Sequence, residues 1–116
     1  MLKSVLGQTA ESRAAAFLRS RGLELVTRNW RCRFGEIDLV MRHDQVLVFV
    51  EVRMRTRGDF GGAAASVTPA KQKRLLAAAR QYLGRLQSVP PCRFDVVALD
   101  GDRAPEWIQN AFEDMG

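Results

Sequence analysis

Thiols and imidazoles are scarce in this chain of 116 residues: Cys32, Cys92 and His43 are the whole supply. The two cysteines stand 60 positions apart, and no Cys-x-x-Cys spacing occurs. That argues against a disulfide framework or a structural zinc site, and for reduced thiols in a cytosol. No apolar run approaches the roughly 18–20 residues that a transmembrane helix needs. Met1–Gln8 holds no apolar stretch of the length of a secretory signal. There is no repeat and no low-complexity block. Hydrophobic residues make up 47% and charged ones 27%, the balance of a globular chain rather than a disordered one. A single domain spanning 1–116 is expected, large enough to bury roughly 65% of its unfolded surface without staples. The reading is a soluble, cytoplasmic domain with no membrane segment and no small-molecule cofactor.

Lysine is scarce too, since 15 of the 18 basic residues are arginine, whose planar fork suits phosphate. The net charge of +5 is unevenly spread. Residues 1–93 carry 17 basic and seven acidic side chains, whereas residues 94–116 carry one and six. A basic body with an acidic tail points to a polyanionic partner, nucleic acid first. The alternative is that arginine merely replaces lysine on a solvated surface. The acidic segment either covers part of the basic surface or meets a partner.

Periodicity predicts the elements. Ala10, Ala14, Phe17 and Leu18 recur at helical spacing between Gln8 and Arg21, with Thr9 as an N-cap and Gly22 as a stop. Leu23–Val26 reads as a short strand and Asn29–Gly35 as a loop or an edge. Glu36–Met41 alternates, with Glu36, Asp38 and Val40 on one face and Ile37, Leu39 and Met41 on the other. Arg42–Gln45 reads as a four-residue turn. Val46–Met54 has the apolar profile of a central strand buried on both faces, with Leu47, Phe49, Glu51 and Arg53 sharing one of them. Gly58–Gly62 is a loop by composition, and it either closes on a substrate or simply connects. Thr68-Pro69 starts a helix that runs to about Leu86, with Leu75, Leu76, Ala79 and Leu83 inward. Strands follow at Phe94–Leu99 and Trp107–Phe112. The order α-β-β-β-α-β-β predicts an α/β domain around a mixed sheet.

Acids inside strands need an explanation, because desolvating an unpaired carboxylate costs several kcal/mol. Asp38 lies on one strand of a hairpin, and Glu51 and Arg53 end an otherwise apolar one. Alternation allows Asp38 to stand beside Glu51 across the antiparallel pair. The set Asp-x12-Glu-x-Arg then has the parts of a metal-dependent phosphodiesterase: carboxylates for Mg²⁺ and a cation for the phosphate. A structural ion pair between Arg53 and the acids is the alternative. Glu11 falls beside the apolar stripe of the first helix, where it is either a third ligand or an acid complementing the helix dipole. His43, in a turn, is expected to face solvent. Trp30 and Phe34, beside Arg28, Arg31 and Arg33, either stack bases between phosphate contacts or anchor the core. Arg93 and Asp95 are expected to form a structural pair.

These residues resemble a known family. Gly7-x3-Glu11-x2-Ala14, Asn29-Trp30-Arg31, Gly35-Glu36-Ile37-Asp38-Leu39-Val40, Val48-Phe49-Val50-Glu51-Val52-Arg53-x-Arg55, Phe60-Gly61, Lys71 and Arg93-Phe94-Asp95-Val96-Val97 are similar to the YraN-like family of bacterial proteins. The likeness runs from about residue 7 to Phe112. That family resembles the PD-(D/E)xK nucleases and the archaeal Holliday junction resolvases, which implies a restriction-endonuclease-like core. The resemblance implies Asp38 and Glu51 as metal-binding acids, Glu11 as the helix-borne acid, and Arg53 in the lysine position. It makes Gln8, Arg55 and Lys71 candidates for phosphate or structural contacts. A Mg²⁺- or Mn²⁺-dependent endonuclease acting on DNA is the implied function, and symmetric cutting implies a homodimer. One departure matters: arginine stays charged above pH 12 and cannot serve as a base. The competing expectation is therefore a nuclease fold kept for binding nucleic acid or a protein, without chemistry.

Overall fold

The computed structural model describes residues 2–54 and 67–112, with side chains from residue 9 onward. The elements are α1 (Leu2–Ser20), β1 (Glu24–Cys32), β2 (Gly35–His43), β3 (Val46–Met54), α2 (Pro69–Leu83), β4 (Cys92–Leu99) and β5 (Glu106–Phe112). Their order is the one that periodicity predicts. The strands form one sheet in sequence order, with β3 and β4 parallel and every other neighbouring pair antiparallel. A parallel pair needs a crossover, and α2 lies in that connection. The result is a single mixed-sheet α/β domain. Among the described residues, no helix is long and apolar enough to cross a membrane.

Alternation along β3 builds the layers. Val48 and Val50 pack with Ala10, Ala14, Ala15 and Leu18 of α1, whereas Leu47 and Phe49 pack with Leu75, Ala78, Ala79 and Tyr82 of α2. A strand covered by helices on both faces has to read as a continuous apolar run. On the α2 side the Phe49 ring stacks on Phe94 at 5.4 Å and meets Tyr82 edge-on at 5.8 Å. Helix α2 starts where its sequence says: the Lys71 N–H donates to the Thr68 hydroxyl, with Pro69 in the first turn. It stops at Leu83 rather than Leu86, capped by Gly84. Ala78 and Tyr82 take buried places, while Leu76 and Leu83 are only partly covered.

Helix α1 is longer at its start than the expected span. It begins at Leu2, so Thr9 lies inside the helix instead of capping it. Gly22 does end it, at φ 94°, with its N–H on the Arg19 carbonyl and the Leu23 N–H on the Leu18 carbonyl. Both hairpin turns shrink to two residues, Arg33-Phe34 and Asp44-Gln45, so that most of Asn29–Gly35 is edge strand. Asp44 supplies the left-handed backbone of its turn, at φ 56°. His43 consequently ends β2 half-buried, with Nδ1 3.4 Å from Arg93 Nη2, and does not face open solvent.

The alternation expected along β2 also breaks. Leu39 and Met41 pack on the α1 side, but Ile37 packs with Val40 on the α2 side. β1 follows suit: Thr27 lies opposite Val40 and Trp30 opposite Ile37, a three-residue interval between like-facing positions. Asn29, with φ 53°, lies between the paired residues Arg28 and Trp30, at the level of Asp38, whereas the register shift of this strand pair falls between Leu25 and Thr27. A left-handed residue resets the two-residue period, which re-aims the side chains on that rung.

Candidate active site

A sheet interior satisfies each strand N–H with a facing carbonyl. Between β2 and β3 the ladder ends at Leu39 and Val50, one rung short of two acids. The next rung in this register would join Asp38 to Glu51. There the Val52 N–H donates instead to Asp38 Oδ2, at 2.8 Å. The strands part at this point and open a cleft of about 350 Å³. Glu36 and Asp38 of β2, Glu51 and Arg53 of β3, Glu11 of α1, and Lys71 and Arg74 of α2 all line it. Because the opening lies between strands, side chains from both helical layers reach the same space.

Glu11 is 7% exposed and is hydrogen-bonded to Asp38 and Asn29. A helix-dipole role for it is ruled out, since the helix begins nine residues earlier and the dipole acts on its first turn only. Oxygen atoms of Glu11, Glu36 and Asp38 all lie within 4.8 Å of one another. Glu36 is the residue that sequence reasoning missed. The signal was the alternation that places it on the face of Asp38. Its other partner is Arg31, whose Nε lies 3.1 Å away.

Burial pushes the Asp38 carboxyl up to about 8, the Glu51 charge adds to that, and the Val52 N–H opposes it. Two carboxyl groups share a hydrogen bond only through a proton, so Asp38 keeps its proton and donates it to Glu11. Burial also raises Glu11, with the hydrogen bonds from Asp38 and Asn29 pulling the other way. Glu51 is raised by burial as well, against the nearby charges of Arg53 and Lys71. The cleft therefore gathers more negative charge than its own cations neutralise, and it stores a proton to compensate.

Of the residues that the sequence singles out, Glu11, Asp38, Glu51, Arg53 and Lys71 come together here. Arg31 and Arg33 are not on the wall: the first is exposed beside Glu36, and the second lies over the Phe34 ring at 5.0 Å. Arg55, the Gly58–Gly62 loop and the Gln8 side chain lie outside the described residues. Trp30 is a core anchor, set edge-on to Tyr82 at 5.5 Å. Asp95 is structural, as its sequence neighbour suggests. It is fully buried and accepts from Arg93 Nε at 3.1 and 3.2 Å, Trp107 Nε1 at 2.9 Å and the Asn110 N–H at 2.9 Å. Neither Cys32 nor Cys92 is in a disulfide.

Asn29 deserves its own test, because it holds Glu11 from a left-handed backbone. Asparagine tolerates that conformation, whereas a β-branched residue is strained there by about 1–2 kcal/mol. Asn29→Val is thus expected to lower the Tm by several degrees, and Asn29→Gly to recover most of that loss. Thermal denaturation of the two variants checks it; equal losses would mean that the backbone conformation carries no strain.

Comparison with known proteins covers the cleft entirely. Residues 10–99 match the family model described as "Uncharacterised protein family UPF0102". The chain is 65% identical over 108 residues to a UPF0102 protein of Cupriavidus taiwanensis, covering 92% of this chain and 82% of the relative. It is 56% identical over 108 residues to a UPF0102 protein of Nitrosomonas eutropha, with 93% of each chain covered.

Proposed function

The chain belongs to the uncharacterised protein family UPF0102, and from its cleft we propose that it is a metal-dependent DNA endonuclease hydrolysing a phosphodiester bond. The observation that carries this reading is the meeting of Glu11, Glu36, Asp38 and Glu51 with Arg53 and Lys71 in one opening of the sheet. The donor set is all oxygen and over-supplied with negative charge, which fits a hard divalent cation. Asp38, Glu11 and Glu51, with Glu36 added by the geometry, are the residues that would hold it. Bound there, Mg²⁺ or Mn²⁺ would polarise the phosphoryl group and lower the pKa of a water molecule.

The remaining work falls to the chain itself. Arg53 and Lys71 set fixed positive charge against the phosphate and against the charge that builds up on it during attack. Arg53 orients and neutralises but takes no proton, because its guanidinium stays charged. Asp38 would hold a bound cation as its carboxylate, which the Val52 N–H keeps aimed. The arginine-rich body of residues 1–93 supplies the sequence-independent attraction for DNA. A sheet with acids at a parted strand pair accords with the restriction-endonuclease-like core that the resemblance implies, and a two-fold dimer would cut both strands.

Arg53 itself favours a second reading, in which the fold binds nucleic acid or a protein without cutting. One experiment separates them. Labelled four-way junction and linear DNA are incubated with the protein in Mg²⁺, in Mn²⁺ and in chelator. The nuclease reading expects cleavage only with metal, lost in Glu51→Gln. DNA binding that weakens with salt, at a log–log slope of about 0.9 per phosphate contacted, with no cleavage in either metal, leaves the binding module.

A further inference from the structure

Deepening that reading, and resting on it, we propose that the Phe34 ring stacks on one unpaired nucleobase, so that the cleft takes DNA with a single-stranded stretch beside the scissile phosphodiester. Phe34 and Arg33 form the two-residue turn between Cys32 and Gly35, which pair with each other. Such turns favour asparagine, aspartate and glycine. Phenylalanine gains nothing from that geometry. Nor does burial explain it, because the residue is 39% exposed at a hairpin tip.

The tip is held in place. A Cβ on Gly35 would lie 3.3 Å from the Arg74 carbonyl oxygen, a crowded contact that glycine avoids, so the hairpin lies close against α2. Gly35, Glu36 and Arg74 are also part of the cleft wall. Phe34 directly precedes these wall residues in the chain, on a turn that packs against α2 and not on a free arm. Its surroundings are cationic: the Arg33 guanidinium lies 5.0 Å from the ring centroid, and Arg31 is exposed on the adjoining strand.

One guanidinium covers one face of a ring and leaves the other for a planar partner. The charge around it favours a partner that is itself tied to an anion, and a nucleobase on its phosphate chain is both planar and so tied. Every base has a π-face, but duplex DNA hides those faces within its own stack, so only unpaired nucleotides qualify. An apolar protein surface would bring no charge to match the arginines.

The test uses the full chain in chelator, so that binding is read without cleavage. A duplex with one single-stranded arm carries 2-aminopurine at the junction, and a blunt duplex of equal length is the control. Wild type is expected to bind the armed DNA about tenfold more tightly than the blunt one, the usual scale of one base–aromatic stack, and to quench the probe. Phe34→Ala should lose that preference and the quenching while keeping its duplex affinity, and Phe34→Trp should restore both. Equal melting temperatures show that the variants fold. An unchanged ratio of armed to blunt binding in Phe34→Ala overturns the stacking site and leaves the nuclease reading standing. If wild type binds neither DNA, the nuclease reading falls, and the stacking site falls with it.

Discussion

Asp38→Asn is expected to stabilise the protein and at the same time to abolish its metal-dependent cleavage. In the folded chain the Asp38 carboxyl is raised from 3.8 to about 8 by burial and by the Glu51 charge. Between those values the folded state binds a proton that the unfolded state has released. Stability contributed by this group therefore falls as pH rises through that window, and the penalty is fully present above about pH 8. Asparagine removes the titration. Its carbonyl can still accept the Val52 N–H, and its amide can donate to Glu11 where the proton did. Near pH 8.5 the gain is expected to be about 2 kcal/mol, or about 5–10 °C in Tm, and it should shrink towards zero near pH 4. Thermal denaturation of both proteins across pH 4–9 reads this directly. Parallel curves would mean that Asp38 does not hold a proton in the fold. Adding MnCl₂ near pH 8.5 should raise the Tm of wild type alone, as expected of a ligand bound only by the folded state with Asp38 in place.

A gain in stability on losing an acid is the signature of a site kept for work. Asp95 shows the contrast. It is as deeply buried as any side chain here, yet Arg93, Trp107 and the Asn110 N–H satisfy it completely. Asp38 accepts one backbone N–H and otherwise faces other carboxyl groups. Burial alone therefore does not mark a functional acid. Burial among like charges does, because only a partner brought from outside relieves it.

Much of this was legible from composition and period. The run Val46–Met54 announces a doubly covered strand, and alternation already permits Asp38 and Glu51 to share a rung. Thr68-Pro69 marks the start of α2 because hydroxyl and ring each suit one place in a first turn. The rest depended on contacts between distant segments. Thr9 looks like a cap locally, but the helix runs through it from Leu2. Ile37 changes face next to the level where Asn29, on the neighbouring strand, adopts a left-handed backbone, and no two-residue pattern carries that information. Glu36 joins Glu11 only where β2, re-aimed at that rung, meets α1. Strand period fixes which residues are neighbours; the parting of β2 from β3 decides which of them meet.

Arg53 carries the second large effect. Arg53→Met is expected to lower metal-dependent cleavage by about 10²–10³-fold, and Arg53→Lys to stay within about tenfold of wild type. Burial raises Glu51, and Arg53, before Lys71, holds it down. Methionine fills similar space without charge, so Glu51 would drift further towards its protonated, non-ligating form while the phosphate lost its neighbouring cation. Lysine restores the charge but not the fork. It also titrates: a lysine ammonium ordinarily begins to lose its proton towards pH 10, whereas a guanidinium does not. The cleavage rate of Arg53→Lys should therefore turn down at alkaline pH where that of wild type continues level. Single-turnover cleavage of labelled DNA from pH 6 to 10 measures both effects. Wild-type rates in Arg53→Met would remove Arg53 from the reaction, and an alkaline limb already present in wild type would assign the titrating group to another residue.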